Sequence, residues 1–415
     1  LNYWDENKPY DLHEVATLIF ATKIRVPIIL FSRMNSSNQQ KNTYIGFVSN
    51  SAWYMYIHRW DVISYLIEQG YHILIIAPKD RPVPAFEHPN VEFVPLWFSN
   101  TNQSFLDVFS LYKNLKAVYR TYRPACIFHF AIKANIIGSF AAKALGIPCV
   151  SIISGTGYSF LKKNKLYYTV RFLYRRALKW PREVWFLNDE DAALFTQEKM
   201  AAPHQVRIQN GEGINLEFYN PANWPQAKYK PIPVFICATR FLYSKGIGDI
   251  AAAIQMLKSK NYDFTCLLIG EADSKNLDAI PATTIEDWRK KGIFELIPYT
   301  DDVRPWLAKS QCFLMPSYSE GLSRSLMEAA SMELPIITTR QKGCKEAVIE
   351  GVSGFLCNMK DPKDLSEKME TFLNMTDAAR LEMGKAGRQL MKEKFQVQNI
   401  CKEYLRILQN MKKAK

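Results

Sequence analysis

Glu320 and Glu328 stand eight positions apart across the start of a helical pattern, inside the stretch CFLMPSYSEGLSRSLMEAASMELPIITTRQKGCKE that runs from Cys312 to Glu346. Carboxylates cannot hold phosphate, but they accept hydrogen bonds well from sugar hydroxyls. Between them Gly321, having no Cβ, lets the backbone come close to a ligand. The free N–H groups of the first helical turn and the helix dipole suit a phosphate. Together these groups fit a ligand with a diphosphate in the middle and hydroxyl-rich rings at both ends, which describes a nucleotide sugar. Two glutamates at this spacing also occur in helices that bind nothing, as solvated partners of the dipole. A glycosidase pair fits less well. Eight residues of straight helix put the backbones ~12 Å apart, whereas such carboxyls sit roughly 5 to 9.5 Å apart.

The elements that must position these residues alternate. The apolar run Cys312–Met315 stops at Pro316, a polar loop follows, a helix opens near Ser323, and Pro335 with the β-branched run Ile336–Thr339 starts another strand. That is a unit of a parallel sheet. From Tyr44 to Ile208 further apolar runs occur at Ile45–Val48, His72–Ala77, Ile127–Phe130, Cys149–Ile153 and Val184–Leu187. A second set lies near Val234–Ala238, Phe264–Gly270, Phe294–Ile297, Cys312–Met315 and Ile336–Thr339. Helical stretches separate them, the pattern of doubly wound α/β sheets. Asn220 to Pro233, with four prolines and Trp224, reads as a linker. With 415 residues, two domains are the natural expectation. The boundaries are an extension at 1–41, a first domain at 42–219, the linker at 220–233, a second domain at 234–394 and a terminal helix at 395–415. Met34 is expected to be the true start, and residues 1–33 to carry no function.

The nine residues from Glu320 to Glu328 resemble the E-x7-E motif of retaining GT-B glycosyltransferases of family four. Pro316-Ser317-Tyr318 before it and Gly343-Cys344-Lys345-Glu346 after it extend the likeness, and Ala238-Thr239-Arg240 with Lys245-Gly246 is similar to that family's R…KG element. The resemblance runs from about Tyr44 to the terminal helix and is strongest to the bacterial branch that builds capsule, O-antigen and lipid-linked oligosaccharides. It implies a GT-B fold, two Rossmann-like doubly wound parallel-sheet domains facing a cleft, with the last helix packed back across the first. It also implies site roles. Arg240 and Lys245 would bind the donor diphosphate, with Gly246 beside them. Glu328 would bind the ribose, and Glu320 with Gly321, Leu322 and Ser323 would engage the donor sugar and phosphates. The chemistry agrees, because a departing nucleoside diphosphate needs positive charge, which a metal-free site must draw from Arg, Lys and N–H groups. One departure is Glu333, where the family usually has Gly.

In the first half, His129 closes a strand and Lys133 follows four residues later. They read either as a hydrogen-bonded strand-end histidine and a solvated lysine, or as cleft contacts. The resemblance implies the second, with His129 taking a catalytic part. Gly155, Thr156 and Gly157 form the next loop at that sheet edge, as possible acceptor contacts or as an ordinary turn. The loop Ser49–Trp53 falls where such folds place ligands but lacks the glycine pair of many relatives. Leu161 to Arg182 carries eight basic residues and no acid, with Leu166, Val170, Leu173 and Ala177 at helical spacing and aromatic residues interleaved. Such a helix seeks an anionic membrane surface through Lys162, Lys163, Lys165, Arg171, Arg175 and Arg176; otherwise it is a solvated face on a core helix. Asp189-Glu190-Asp191 forms a D-x-D, but it opens a helix after a strand, where Asn188 and Asp are favoured caps. We expect capping and no metal.

A net charge of +13 asks for an anionic partner. Nucleic acid is not expected, since no zinc spacing, RNP-like aromatic motif or basic heptad accompanies the charge. Eight cysteines without CxxC spacing, four of them inside apolar runs, read as reduced core residues of a cytosolic chain. No 18-residue apolar span is present. The expectation is therefore a metal-independent transferase, peripheral on the inner face of the cytoplasmic membrane. It would move a hexose or N-acetylhexosamine from a UDP-sugar to a polyprenyl-diphosphate-linked saccharide. A GT-B sugar-nucleotide isomerase and a non-catalytic sugar-nucleotide or polyanion-binding protein are the rivals.

Overall fold

A computed structural model describes residues 43–98, 105–155, 160, 164–209, 211–224, 232–272, 276, 278–318 and 320–413. The expectations placed on residues 1–41, on Thr156, Gly157, Lys162 and Lys163, and on linker residues 225–231 lie outside the described residues.

Seven parallel strands make the first sheet: β1 (Tyr44–Val48), β2 (His72–Ala77), β3 (Val91–Pro95), β4 (Cys126–Phe130), β5 (Cys149–Ile153), β6 (Glu183–Phe186) and β7 (Val206–Ile208). Their order is β3-β2-β1-β4-β5-β6-β7. The second sheet holds β8 (Val234–Ala238), β9 (Thr265–Ile269), β10 (Glu295–Ile297), β11 (Cys312–Met315), β12 (Ile336–Thr339) and β13 (Gly354–Cys357), in the order β10-β9-β8-β11-β12-β13. Strand order reverses between β1 and β4 and again between β8 and β11, so each sheet has a crevice at the carboxyl ends of those strands. This is the expected pair of doubly wound sheets. The strands that the apolar runs did not reveal are β3, β7 and β13, all at sheet edges. An edge strand buries less side-chain surface, and β3 and β7 are correspondingly half-exposed.

Alternation along each strand divides its side chains between two cores. Ile73 and Ile75 join Ile45, Phe47 and Phe128 on one face of the first sheet, against Met55, Val62 and Leu66 of the first helix, Ala52–Glu68. Leu74 and Ile76 face the opposite way, toward Leu115 and Tyr119 of helix Phe105–Tyr122 and Val170 and Tyr174 of helix Lys165–Ala177. The terminal helix, Val397–Lys413, lies on the first face. Tyr404 packs there against Phe128 and Trp185, with ring centroids 4.6 and 4.9 Å away. All eight cysteines are free and buried.

The two sheets belong to one compact body, Thr43–Lys415. A buried carboxylate lies where they join. Glu212 accepts from Arg59 Nη2 at 2.6 Å and from the Tyr54 hydroxyl at 2.5 Å, and its other oxygen faces His58 Nδ1. Arg59 itself is buried, 4.7 Å over the Phe130 ring. Burial alone would raise the Glu212 pKa, but Arg59 and His58, with the hydrogen bonds of His58 and Tyr54, outweigh it and hold the carboxyl well below its usual range. A depressed carboxyl stabilises the fold above the unfolded-state pKa, and that stability is lost as pH falls toward the folded-state value.

Glu333 occupies a left-handed conformation, φ +58°, just past the end of helix Arg324–Ser331. Its N–H bonds to Ala330 O at 3.0 Å and that of Leu334 to Ala329 O at 3.1 Å, so it fills the position where helices favour glycine. The departure noted in the sequence is therefore a strained helix end. Glu333→Gly should raise stability by about 1 kcal/mol in urea unfolding. Glu212→Gln leaves Arg59 buried without its counter-charge and should lower stability by about 3 kcal/mol at neutral pH. The loss relative to wild type should shrink as pH is lowered below 4.

Candidate functional site

Two loops leave the crevice of the second sheet side by side, one after β8 and one after β11. They are pinned to each other. The Ser244 carbonyl accepts from Tyr318 N at 2.8 Å and from Ser317 Oγ at 3.1 Å. Gly246, at φ +74°, lies so close that a Cβ there would sit 2.2 Å from the Pro316 carbonyl oxygen. From β12, Thr338 Oγ1 donates to Met315 O at 2.7 Å and Thr339 Oγ1 to Ser317 O at 2.5 Å, giving partners to carbonyls beyond the ladder. Pinned in this way, Lys245 of the first loop forms an ion pair with Glu320 of the second, and both are about 15% exposed. Ser317 Oγ adds a hydrogen bond to the same carboxylate oxygen at 3.0 Å. Arg240 is exposed on the β8 loop, and its carbonyl accepts from Leu242 N at 2.8 Å.

Ser323 caps the motif helix, its hydroxyl accepting from Leu326 N. Glu328, on that helix, takes Arg324 Nε at 2.9 Å and the Tyr219 hydroxyl at 2.7 Å, both on Oε1. Arg324 is the i−4 neighbour, a pairing that helical spacing alone could have found. Tyr219 is 109 residues distant in the chain, and nothing local announces it.

Gly321 is tightly placed, and the close approach expected of it is to another part of the chain. A Cβ at Gly321 would stand 2.0 Å from Ser154 O and 3.7 Å from the Gly155 Cα, so the loop after β11 is pressed onto the loop after β5 in the first sheet. Leu322 packs over Gly211. Gly321, inside the Glu320–Ser323 loop, thus meets Ser154 and Gly155 across the line between the sheets.

His129 is a correction. Its ring is fully buried, with Nε2 2.9 Å from the Tyr119 hydroxyl and Gly138 packed against it. Burial lowers its pKa to about 3, so it is a neutral core residue without access to a cleft ligand. Lys133 lies beyond the same strand, half-buried, with its pKa lowered by burial against the opposing effect of Asp107. The loop Ser49–Trp53 is bound by another loop of the chain. Asp80, from the loop after β2, accepts the Ala52 and Trp53 amides at 3.0 and 3.2 Å, so a carboxylate of the chain occupies the start of the first helix. Next to it, the Arg81 guanidinium lies 5.5 Å from the Trp53 ring and 5.2 Å from that of Tyr299 in the second sheet's half, and 3.4 Å from Glu271.

The basic helix Lys165–Ala177 divides its charges. Arg171 and Arg175 turn to the protein, the first paired with Glu198 at 2.5 Å and the second donating to Glu198 O at 2.8 Å, so these two are withdrawn from the expected membrane set. Lys165, Tyr168, Phe172, Arg176 and Lys179 share the exposed face, with the Arg176 guanidinium over the Phe172 ring. Asn188 caps helix Asp189–Gln197, its Oδ1 accepting from Asp191 N at 2.8 Å. Among the described residues no cluster of three or more His, Cys, Asp or Glu is placed to hold a metal ion, and no helix is long and apolar enough to cross a membrane.

Residues 232–375 match the family model described as "Glycosyl transferases group 1", and residues 44–187 match "Glycosyl transferase 4-like". The chain is 25% identical to the N,N'-diacetylbacillosaminyl-diphospho-undecaprenol alpha-1,3-N-acetylgalactosaminyltransferase of Campylobacter jejuni, over 88% of this chain and 100% of that one. It is 24% identical to the UDP-Gal:alpha-D-GlcNAc-diphosphoundecaprenol alpha-1,3-galactosyltransferase of Escherichia coli, over 71% of this chain and 78% of that one. In fold it is similar to Anabaena Alr3699/HepE, solved with UDP and glucose, at a TM-score of 0.71 and 16% identity, covering 88% of this chain and 99% of that one.

Lys245→Ala should lower kcat for sugar transfer by about 10²- to 10³-fold, the size of effect seen when a transition-state charge partner is lost. Glu328→Gln should act mainly on KM for the nucleotide sugar. Steady-state kinetics on both variants separate the two roles.

Proposed function

The chain belongs to the group 1, family-four-like glycosyltransferases, and on that premise we propose that it moves a hexose or N-acetylhexosamine from a UDP-sugar to a polyprenyl-diphosphate-linked saccharide, with retention of anomeric configuration. The observation that carries the reading is the convergence of Lys245, Glu320, Gly321, Ser323 and Glu328 at the crevice of the second sheet. The curated relatives named above act on diphosphoundecaprenol-linked sugars, which supports the acceptor class.

The parts divide the work as follows. Glu328 takes its protein partners on Oε1, so Oε2 is the oxygen offered to ribose hydroxyls. The amides at the start of the motif helix face the diphosphate. Lys245 and Arg240 neutralise the charge that grows on the diphosphate as its bond to the anomeric carbon lengthens. Before donor binds, Glu320 keeps the Lys245 ammonium in place, so little reorganisation is needed when phosphate arrives. Glu320 then orients the sugar hydroxyls. Lys133 and Gly155, at the carboxyl edge of the first sheet, lie on the acceptor side. No resident metal or cofactor enters the proposal.

The membrane is the second partner proposed. Lys165, Arg176 and Lys179 share one exposed face with Tyr168 and Phe172, which are 54% and 44% exposed. Each basic residue near an anionic leaflet is worth ~1 kcal/mol, and the aromatic rings suit the headgroup level. The enzyme would thus sit reversibly on the membrane face that carries its acceptor.

A screen of UDP-sugars against an undecaprenyl-diphosphate-linked saccharide, read by mass spectrometry with a chelator control, should give one sugar added and turnover unchanged by chelator. Product formed from UDP-sugar without acceptor would instead indicate an isomerase. Vesicle flotation is expected to show salt-sensitive binding to anionic lipid that falls at least tenfold in Phe172→Ser/Arg176→Glu, with turnover on a water-soluble acceptor analogue unchanged. Equal flotation would remove the membrane contact.

A further inference from the structure

The side chain of Asn188 does two things with its two ends. Oδ1 accepts from Asp191 N and caps helix Asp189–Gln197. Nδ2 donates to Asp191 Oδ2 at 3.0 Å and, across the boundary between the sheets, to Gly321 O at 3.1 Å. Because Oδ1 must accept a backbone N–H, the amide can face Gly321 only with its donor end.

A trans peptide is planar, with its C=O and N–H pointing in opposite directions. The carbonyl that Asn188 holds belongs to the same peptide unit as the Leu322 N–H. Fixing the carbonyl on the first sheet's side therefore aims the Leu322 N–H away from it, and among the described residues that N–H has no hydrogen-bond partner. The arrangement is locked from the other side as well. Asp191, 1% exposed, pairs with Lys342 Nζ at 2.7 Å, and the next residue, Gly343, accepts from Ser323 N at 2.9 Å. The circuit Asn188–Asp191–Lys342–Gly343–Ser323–Gly321 closes around the peptide that joins Gly321 to Leu322.

We infer that Asn188 is a positioning residue for donor binding: by holding the Gly321 carbonyl from the first sheet, it orients the Leu322 amide toward the nucleotide diphosphate. This rests on the reading that the 320–323 loop holds that diphosphate. It turns the Asn-Asp-Glu-Asp segment from a plain helix start into the contact through which the first half of the chain shapes the donor site of the second. It also joins affinity for donor to the seating of the two halves.

Asn188→Ser separates the two roles. Serine caps a helix about as well as asparagine, but its hydroxyl is too short to reach Gly321. Asn188→Asp also keeps the cap, yet sets a carboxylate oxygen against the Gly321 carbonyl. Titration calorimetry with UDP, donor kinetics and thermal unfolding are measured on wild type and both variants. The serine variant should bind UDP about tenfold more weakly, with KM for the donor raised by a similar factor, since misaiming one amide-to-phosphate hydrogen bond costs about that much. Its kcat should stay within about threefold and its Tm near wild type, and the aspartate variant should bind more weakly still. Wild-type Kd and KM in the serine variant would overturn the inference, as would a joint fall of kcat and Tm, which marks a purely structural cap. Failure of the wild type to bind UDP would instead sink the reading of the donor loop, and this inference with it.

Discussion

The whole arrangement depends on one close approach. Gly321 lies against Ser154 O at a distance no side-chain-bearing residue could accept, and this brings the loop after β11 in the second sheet onto the loop after β5 in the first. Other contacts between the two halves gather around it. Asn188 reaches the Gly321 carbonyl, Leu322 covers Gly211, and the segment that begins there carries Glu212 to Arg59 and Tyr219 to Glu328. The glycine that sequence chemistry assigned to ligand approach is required first by the chain itself.

The charges at this boundary are arranged in pairs before any ligand is present. A charge taken from water costs several kcal/mol unless a partner and hydrogen bonds compensate it. Glu320 has Lys245 and Ser317, Glu328 has Arg324 and Tyr219, and Glu212 has Arg59, His58 and Tyr54. Their functions differ with exposure. The first two pairs keep some exposure to solvent. Glu212 is sealed and can act only by holding the two halves in register. The same logic explains Asp80, whose carboxylate takes amides at the start of the first helix that would otherwise attract an anion.

His129 and Glu333 show where residue-level reading misjudged a position that it had correctly noticed. His129 does close a strand at the carboxyl edge, but strand alternation directs its ring into the core, against Gly138 of the helical segment that follows, rather than out of it. Lys133, four residues on, lies past the end of the strand and is only partly buried. Glu333 stood out as a departure from glycine, and its positive φ gives the reason that glycine suits the position.

Alternating apolar runs and helix-start signals were enough to establish two doubly wound sheets and the strand–loop–helix unit around Glu320 and Glu328, because hydrophobic period and helix-start chemistry are local properties of consecutive residues. Edge strands β3 and β7 escaped because they bury too little to mark the sequence, whereas β13 is buried but only four residues long and opens on Gly354. Tertiary structure alone decided which partners each carboxylate has, that Arg171 and Arg175 turn inward while Arg176 does not, and that Asn188 meets Gly321 from 133 residues away. Those contacts join segments whose own sequences carry no trace of each other, and only the folding of one sheet against the other brings them within the ~3 Å that a hydrogen bond requires.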